Sequence, residues 1–147
     1  MDEAARIVGE KHGRVDVLIN NAGIGSQIRQ SGPGAIREAL RQTLATNVVG
    51  AVSVTEAFMS LLLEMTEKEV VKRLIFISST TGSLTYASDP NHALHASGGA
   101  TDYRTSKAAV SMLVIQYDGL LRRRGVKVHG INPGCKCPFI PSPALLF

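Results

Sequence analysis

The sequence contains little cysteine, no tryptophan and few aromatic side chains. Aromatic residues make up 5% of its 147 residues, and its two cysteines, Cys135 and Cys137, are separated by a single residue. Such a pair offers too few ligands for a structural zinc site, so we interpret both cysteines as free thiols and expect no metal site. Free thiols are ordinary in a reducing compartment, and a cytoplasmic location is therefore expected.

Long apolar runs and secretion signals are also lacking. Residues 1–13 are charged and have no apolar core, so they do not resemble a signal peptide. No apolar run reaches membrane-spanning length without interruption, and we expect no membrane association. The sequence shows no internal repeat and no low-complexity tract.

Positive charge is scattered along the chain, apart from one triplet. The net charge of +4 includes three consecutive arginines, Arg122, Arg123 and Arg124. We interpret the triplet as the end of a helix, where the partial negative charge of the carboxyl terminus favours cations. The alternative is a patch for nucleic acid or phosphate. We expect no nucleic-acid partner.

The residues that are present indicate a globular α/β domain. The hydrophobic content of 44% is ordinary, and a chain of this length fits one domain that buries about 70% of its unfolded surface. Three short strands are predicted at residues 15–19, 74–77 and 126–131, and the first two are apolar. They alternate with four predicted helices, at residues 2–11, 35–43, 44–65 and 102–124. This alternation predicts a parallel sheet with right-handed crossovers.

Several of these elements carry further expectations. The continuous apolar run at 74–77 is typical of a strand that is covered on both faces. The helix at 44–65 is apolar nearly all round, which indicates burial or packing on a partner. Residues 25–34 and 86–101 are predicted to be loops. In the helix at 102–124 five apolar side chains are expected to face inward: Ala108, Met112, Leu113, Ile115 and Leu120.

Tyr103 and Lys107 form the most informative polar pair. They stand four residues apart in a predicted helix, so they share one helix face. There the ammonium group favours the phenolate form of the tyrosine, and both groups can act on one substrate oxygen. A nearby hydroxyl such as that of Ser79 can hold the carbonyl or alkoxide. By itself, however, Tyr-x-x-x-Lys is more often an ordinary pair on a helix surface.

Other motifs accompany this pair in a definite order. The first strand runs into Asn-Asn-Ala-Gly at residues 20–23, the second ends in two serines at 78–79, and the third ends in Asn-Pro-Gly at 132–134. Asn47 stands near the start of the long apolar helix. In this order the motifs resemble the short-chain dehydrogenase/reductase family over residues 5–134. The resemblance implies a partial Rossmann-like, doubly wound parallel sheet of about three strands with flanking helices.

The resemblance also implies roles for the polar residues. Tyr103 is the expected general acid/base, and Lys107 is expected to assist it and to bind the cofactor ribose. Ser79 is expected to orient the substrate, with Ser78 as the competing choice. Asn47 is expected to hold a water that links the lysine to solvent; the alternative is a buried polar residue bonded to a backbone carbonyl.

Cofactor contacts are implied at the ends of two strands. Asn21, Ala22 and Gly23 are expected near the ribose of a nicotinamide cofactor, because open parallel sheets bind ligands at the carboxyl ends of their strands. Pro133 and Gly134 are expected to frame the nicotinamide. A plain turn after a strand is the alternative at both places. NAD(P) is the implied cofactor, with NADP preferred, and the implied substrate is a small-molecule carbonyl or alcohol.

The sequence departs from the family pattern in three respects. It opens after the glycine-rich segment that would receive the cofactor pyrophosphate, so cofactor binding is expected to collapse. Between Ser79 and Tyr103 lie 23 residues, more than the family usually has, and we assign the insertion to residues 87–100. The resemblance stops at residue 134. This predicts a partial NAD(P)-binding domain at 1–134 and a divergent tail at 135–147.

Two functions are predicted as alternatives. One is a short-chain dehydrogenase/reductase-type oxidoreductase that interconverts a carbonyl and a secondary alcohol. The other is a catalytically inactive, truncated relative that acts at most as an interaction partner. In either case the helix at 44–65 can pair in a homo-oligomer, and exposed edges of apolar strands favour association or poor solubility.

Overall fold

The computed structural model describes residues 2–25, 34–64, 70–95 and 100–134. Within them lies a three-stranded parallel sheet in the spatial order β1-β2-β3. Its strands are β1 (Val17–Asn20), β2 (Lys72–Ile77) and β3 (Val126–Ile131). In the register, Leu74 of β2 lies between Leu18 of β1 and Val128 of β3. The parallel α/β architecture predicted from the sequence is confirmed.

Helices connect the strands. The first is α1 (Asp2–His12), which ends at Gly13, a left-handed residue with φ 74°. The others are α2 (Ala35–Leu44), a π-helical turn (Ala45–Gly50), α3 (Ala51–Leu63), a 3-10 turn (Thr80–Gly82), α4 (Leu84–Ser88), α5 (Thr101–Leu121) and a second 3-10 turn (Arg122–Arg124). The arginine triplet therefore lies at a helix end, as predicted.

The hydrophobic core lies on one face of the sheet. Leu74 and Phe76, two residues apart on β2, point to the same face and are fully buried. The Phe76 ring stacks on Tyr117 of α5 with 5.7 Å between centroids, and the Tyr117 hydroxyl donates to Glu56 of α3 at 2.7 Å. The cluster also contains Ala51, Leu62, Val110, Leu121 and Val126. This packing fixes α5, the helix of the candidate tyrosine and lysine, to the central strand.

The opposite face of the sheet is less covered within the described residues. Ile75 and Ile77 of β2 are half-buried, and Val17 and Ile19 of β1 are exposed. Within the described residues, the strand at 74–77 is therefore fully covered on one face and partly covered on the other. The reason is that α3 and α5 contribute their buried side chains to the same side.

A continuous helical stretch of 29 residues, Ala35–Leu63, combines α2, the π-helical turn and α3. By length and composition alone, this helix could cross a membrane. Core helices pass the same test. Three polar side chains of this helix form buried hydrogen bonds with other elements: Thr43 with Asp102, Asn47 with Ser106 and Thr55 with Asn20.

Two predicted boundaries differ from the structure. The helices predicted separately at 35–43 and 44–65 join without a break. The loop predicted at 86–101 begins inside α4 and ends inside α5. The signal for α4 was a cap, because the Ser83 hydroxyl accepts the Tyr86 backbone N–H at 3.2 Å.

The inward face of α5 also differs from the prediction. Met112, Ile115 and Leu120 are 54%, 62% and 67% exposed, so their predicted burial is wrong. Ala108 and Leu113 are half-buried. The buried apolar residues of this helix are Val110, Tyr117 and Leu121. These three residues lie on one stripe of the helix. The helix carries a second apolar stripe, and the sequence alone does not tell which of the two is buried.

Some predictions fall on residues that the structure does not describe. They are the loop at 26–33, the end of the predicted helix at 65, part of the insertion at 96–99, and the tail at 135–147 with its two cysteines. The division into a domain at 1–134 and a tail thus stays a prediction.

Candidate active site

Lys107 and Tyr103 lie one turn apart on α5. Lys107 is 4% exposed, and its Nζ donates to the backbone carbonyl of Ile77, the last residue of β2, at 2.7 Å. The same Nζ lies 5.5 Å from the centre of the Tyr103 ring. Burial lowers the pKa of Lys107. The lysine therefore stands between the carboxyl end of β2 and the candidate acid/base.

Gly82 allows α5 to approach the turn after β2. A Cβ at this position would lie 2.6 Å from the backbone nitrogen of Ala108 and 2.6 Å from the carbonyl carbon of Lys107. Atoms do not approach so closely, so any side chain here would displace backbone. The contact holds the turn against the part of α5 that carries Lys107. It also explains why a glycine stands three residues after Ser79.

The two serines after β2 have different surroundings. Ser78 Oγ lies 3.0 Å from Ser111 Oγ and donates to the Lys107 carbonyl at 3.4 Å, so it faces α5. Ser79 instead caps the 3-10 turn, because its Oγ accepts the Thr81 backbone N–H at 3.2 Å and lies 2.9 Å from Thr81 Oγ1. This difference favours Ser79 over Ser78 as the hydroxyl that meets a substrate, an assignment that stays a prediction.

Asn47 joins three segments of the site. It is 2% exposed and lies in the π-helical turn, a feature that frequently occurs at functional sites. Its carboxamide accepts the Ile24 N–H and donates to the Ile24 carbonyl, both at 2.7 Å, and it donates to Ser106 Oγ at 2.9 Å. Ser106 donates in turn to the Tyr103 carbonyl at 2.8 Å. These bonds match the alternative of a buried polar residue bonded to backbone; the linking water stays a prediction.

Asn21, Ala22 and Gly23 lie exposed at the carboxyl end of β1. A Cβ at Gly23 would be 3.5 Å from Lys107 Nζ and 3.5 Å from Asn47 Oδ1. The main chain after β1 therefore borders directly on the polar centre of the site. Its lack of a side chain at this point leaves that centre accessible from the loop.

Gly25 brings the same loop against the candidate acid/base. A Cβ at Gly25 would lie 2.9 Å from Cδ2 and 3.3 Å from Cβ of Tyr103. Glycine therefore lets the loop lie on the tyrosine ring without displacing it. Gly25 was not among the predicted site residues, because its contact partner is remote in the chain and no local pattern marks it.

Pro133 and Gly134 follow β3 and are exposed. Gly134 adopts φ 72°, and its N–H donates to Asn132 Oδ1 at 3.3 Å, which closes a small turn. This turn is compatible with both predictions for residues 133–134, which are framing of the nicotinamide and a plain turn after a strand. Because the three strands are parallel, the residues that follow β1, β2 and β3 emerge at one edge of the sheet. The predicted site residues of the strand ends therefore share that edge.

A buried pair near the start of α5 was missed by sequence reasoning. Thr43 of α2 donates to the Asp102 carboxylate at 2.8 Å, and both side chains are almost fully buried. Since Asp102 immediately precedes Tyr103, the bond ties α2 to the turn that presents the tyrosine. In the sequence, Asp102 is an acidic residue at a helix start, which is ordinary, so nothing distinguished it.

The arrangement is suited to moving one proton at a substrate oxygen. It supplies a phenol, a buried ammonium and a hydroxyl from α5 and the turn after β2. Within residues 2–25, 34–64, 70–95 and 100–134, no group of three or more His, Cys, Asp or Glu side chains is placed to hold a metal ion.

Comparisons with known proteins point to one family. A family model described as short chain dehydrogenase matches residues 1–137. The chain is 38% identical over 137 residues to the short-chain dehydrogenase/reductase eupG of Phoma sp, covering 86% of this chain and 49% of that protein. It is 35% identical over 144 residues to the short-chain dehydrogenase/reductase tropE of Talaromyces stipitatus, covering 91% and 52%. The chain thus spans about half the length of the curated relatives it matches.

Solved structures show the same relationship. An NADPH-bound carbonyl reductase from chicken fatty liver matches with a TM-score of 0.71 at 28% identity, over 90% of this chain and 52% of that one. The RhlG/NADP active-site complex of Pseudomonas aeruginosa matches with a TM-score of 0.69 at 25% identity, over 90% and 47%. Both likenesses support the Rossmann-like fold.

Proposed function

This chain belongs to the short-chain dehydrogenase family, and from that premise we propose that it is a nicotinamide-dependent oxidoreductase that interconverts a carbonyl and a secondary alcohol. The observation that carries the proposal is the position of Lys107. Its buried ammonium is bonded to the end of β2 and lies 5.5 Å from the centre of the Tyr103 ring. The ammonium and the phenol ring thus lie together on one face of α5, beside the carboxyl end of β2.

The chain's own residues handle the proton. In carbonyl reduction the Tyr103 phenol donates its proton to the substrate oxygen, and in alcohol oxidation the phenolate accepts that proton. Lys107 lies beside the phenol, and the Ser79 hydroxyl donates a hydrogen bond to the same substrate oxygen. Asn47 ties the loop after β1 to α5 through its bonds to Ile24 and Ser106, and a water that connects Lys107 to solvent is the further role proposed for it. One carbonyl, one hydride and one proton give one alcohol, so the reaction balances.

The loop after β1 fits a nicotinamide cofactor. Residues 21–23 are exposed at the carboxyl end of β1, and Gly23 leaves its backbone open beside Lys107 Nζ. These residues and Lys107 would hold the ribose region, and residues 133–134 would frame the nicotinamide. When bound, the cofactor supplies or accepts the hydride.

We prefer NADP to NAD because two of the matched solved structures carry NADPH or NADP. A cytoplasmic location is proposed from the free thiols. Neither a membrane nor a nucleic acid is proposed as a partner, because polar side chains of the helix Ala35–Leu63 are bonded inside the fold and the positive charge is dispersed. Fractionation of cells that express the tagged chain should place it with a cytosolic marker, and recovery with membranes would contradict this.

A homo-oligomer is also proposed, through the helix at 44–65. Val49 in its π-helical turn is 60% exposed, and α5 exposes Met112 and Ile115. Exposed apolar surface of this kind favours association. Sedimentation should show a dimer or larger species, and Val49→Lys should shift it toward the monomer at equal concentration. Thr85→Lys, a charge added on exposed α4, is the control; a monodisperse monomer of the unaltered chain would contradict the proposal.

NADPH binding and turnover test the proposed function directly. The purified 147-residue chain is titrated with NADPH up to millimolar concentration, and the reduction of a simple ketone is followed by loss of the reduced cofactor's absorbance. Saturable binding with turnover would support the oxidoreductase and would overturn the expectation, drawn from the sequence, that cofactor binding collapses. No binding at millimolar NADPH would sink the proposal and support the inactive alternative.

A further inference from the structure

Residues 83–95, called here segment 83–95, fold as a compact unit between Ser79 and Tyr103. Their first helix, α4, is capped by Ser83 and leads into a series of turns. The rings of Tyr86 and His92 stack at 4.1 Å between centroids with planes 6° apart. The described part of the predicted insertion therefore has structure of its own.

The side chain of Arg104 joins this segment to the site. Arg104 directly follows Tyr103 on α5 and is half-buried. Its Nη2 donates to the Leu94 carbonyl at 2.9 Å, and its Nε donates to the Thr81 carbonyl at 3.2 Å. One planar guanidinium thus holds two backbone carbonyls of different segments, a geometry that a lysine ammonium does not reproduce.

Thr81 connects Arg104 to Ser79, whose hydroxyl is proposed to meet the substrate. Its backbone N–H and its hydroxyl both contact Ser79 Oγ, at 3.2 and 2.9 Å. Arg104 therefore holds Thr81, the residue that contacts Ser79 Oγ. Arg104 is also covalently next to Tyr103, so it connects the turn that carries Ser79 with the start of α5 that carries Tyr103.

We propose that Arg104 is a positioning residue, which holds segment 83–95 as a wall of the substrate cleft and fixes the Ser79 turn relative to Tyr103. The inference rests on the proposed function, in which Ser79 and Tyr103 touch the substrate. Arg104 itself acts through Thr81 and Leu94. Loss of its bonds to Thr81 and Leu94 should release the wall and leave the lysine site intact, since Lys107 is held separately by Ile77.

Amide hydrogen exchange of the 147-residue chain tests the structural half of the proposal. In Arg104→Ala, amides in residues 80–95 should exchange about tenfold faster, while those of β2 and of the carboxyl half of α5 stay unchanged. Arg104→Lys should recover part of the protection, because it can reach one carbonyl. Arg123→Ala, which removes an exposed arginine at the far end of α5, is the matched control and should change nothing in residues 80–95.

Kinetics test the functional half. Arg104→Ala should raise the KM for a ketone about tenfold, while the Kd for NADPH changes less than twofold. General destabilisation would alter both constants together, so this split separates positioning from structural damage. Arg123→Ala should leave both constants unchanged.

The outcomes distinguish this inference from the proposed function. Exchange over 80–95 that is equally slow in Arg104→Ala and in the unaltered chain overturns the inference, whether or not the chain reduces ketones. Faster exchange with an unchanged KM overturns it as well, because the segment would then lie outside the substrate cleft. A faster-exchanging Arg104→Ala in a chain without NADPH turnover supports the tether and counts against the proposed function.

Discussion

Gly82→Ala is expected to lower the free energy of unfolding by about 3 kcal/mol. The added methyl carbon would lie 2.6 Å from two backbone atoms of α5, the nitrogen of Ala108 and the carbonyl carbon of Lys107. Neither atom can be moved by rotating a side chain. Either the turn after β2 or α5 itself must therefore shift, and both belong to the packed part of the fold.

The same shift should disturb the site. The turn carries Ser79 at its start, and the adjoining part of α5 carries Lys107, whose Nζ bond to Ile77 depends on the present spacing. Turnover should consequently fall with stability. Chemical denaturation followed by circular dichroism measures the loss of stability, and the ketone assay measures the loss of turnover.

Gly119→Ala is the matched control for this substitution. Gly119 lies within α5, and a Cβ there would meet no atom within 4 Å. Alanine is a better helix former than glycine, so this variant should gain about 0.5–1 kcal/mol. The free energy of unfolding should therefore fall in Gly82→Ala and rise in Gly119→Ala. A Gly82→Ala variant as stable as Gly119→Ala would show that α5 does not approach the turn as closely as described.

The elements that the sequence predicted well are those with strong local signals. The strand at 126–131 was predicted with its observed bounds, because apolar residues alternate with polar ones between Gly125 and Asn132. For Asn47, the alternative of a buried polar residue bonded to backbone matches its 2% exposure and its bonds to Ile24, while the linking water stays a prediction. The pairing of Tyr103 and Lys107 followed from helical spacing alone.

The features that escaped prediction depend on contacts between residues remote in the chain. Gly25 and Gly82 matter because of what packs against them, and a single sequence does not show that. In the sequence nothing distinguishes Arg104 from the other charged residues, because its hydrogen bonds to the Leu94 and Thr81 carbonyls depend on the fold. The inward face of α5 was misjudged because two apolar stripes compete there and tertiary packing decides between them.

Tyr103→Phe is expected to reduce ketone turnover about a thousandfold, which corresponds to about 4 kcal/mol of transition-state stabilisation. The substitution removes the proton donor and retains the ring that lies against Gly25 and 5.5 Å from Lys107 Nζ. Stability and NADPH affinity should therefore stay close to those of the unaltered chain. Steady-state rates at saturating NADPH, with thermal unfolding of the same samples, measure both.

Tyr86→Phe separates the loss of this particular hydroxyl from the loss of any tyrosine hydroxyl near the site. Tyr86 is 42% exposed on α4 and stacks on His92, and phenylalanine preserves that stacking. Its turnover should stay within about twofold, since it passes no proton to the substrate. If Tyr103→Phe also kept most of its turnover, another group would have to deliver the proton, and the role assigned to the pair of Tyr103 and Lys107 would be wrong.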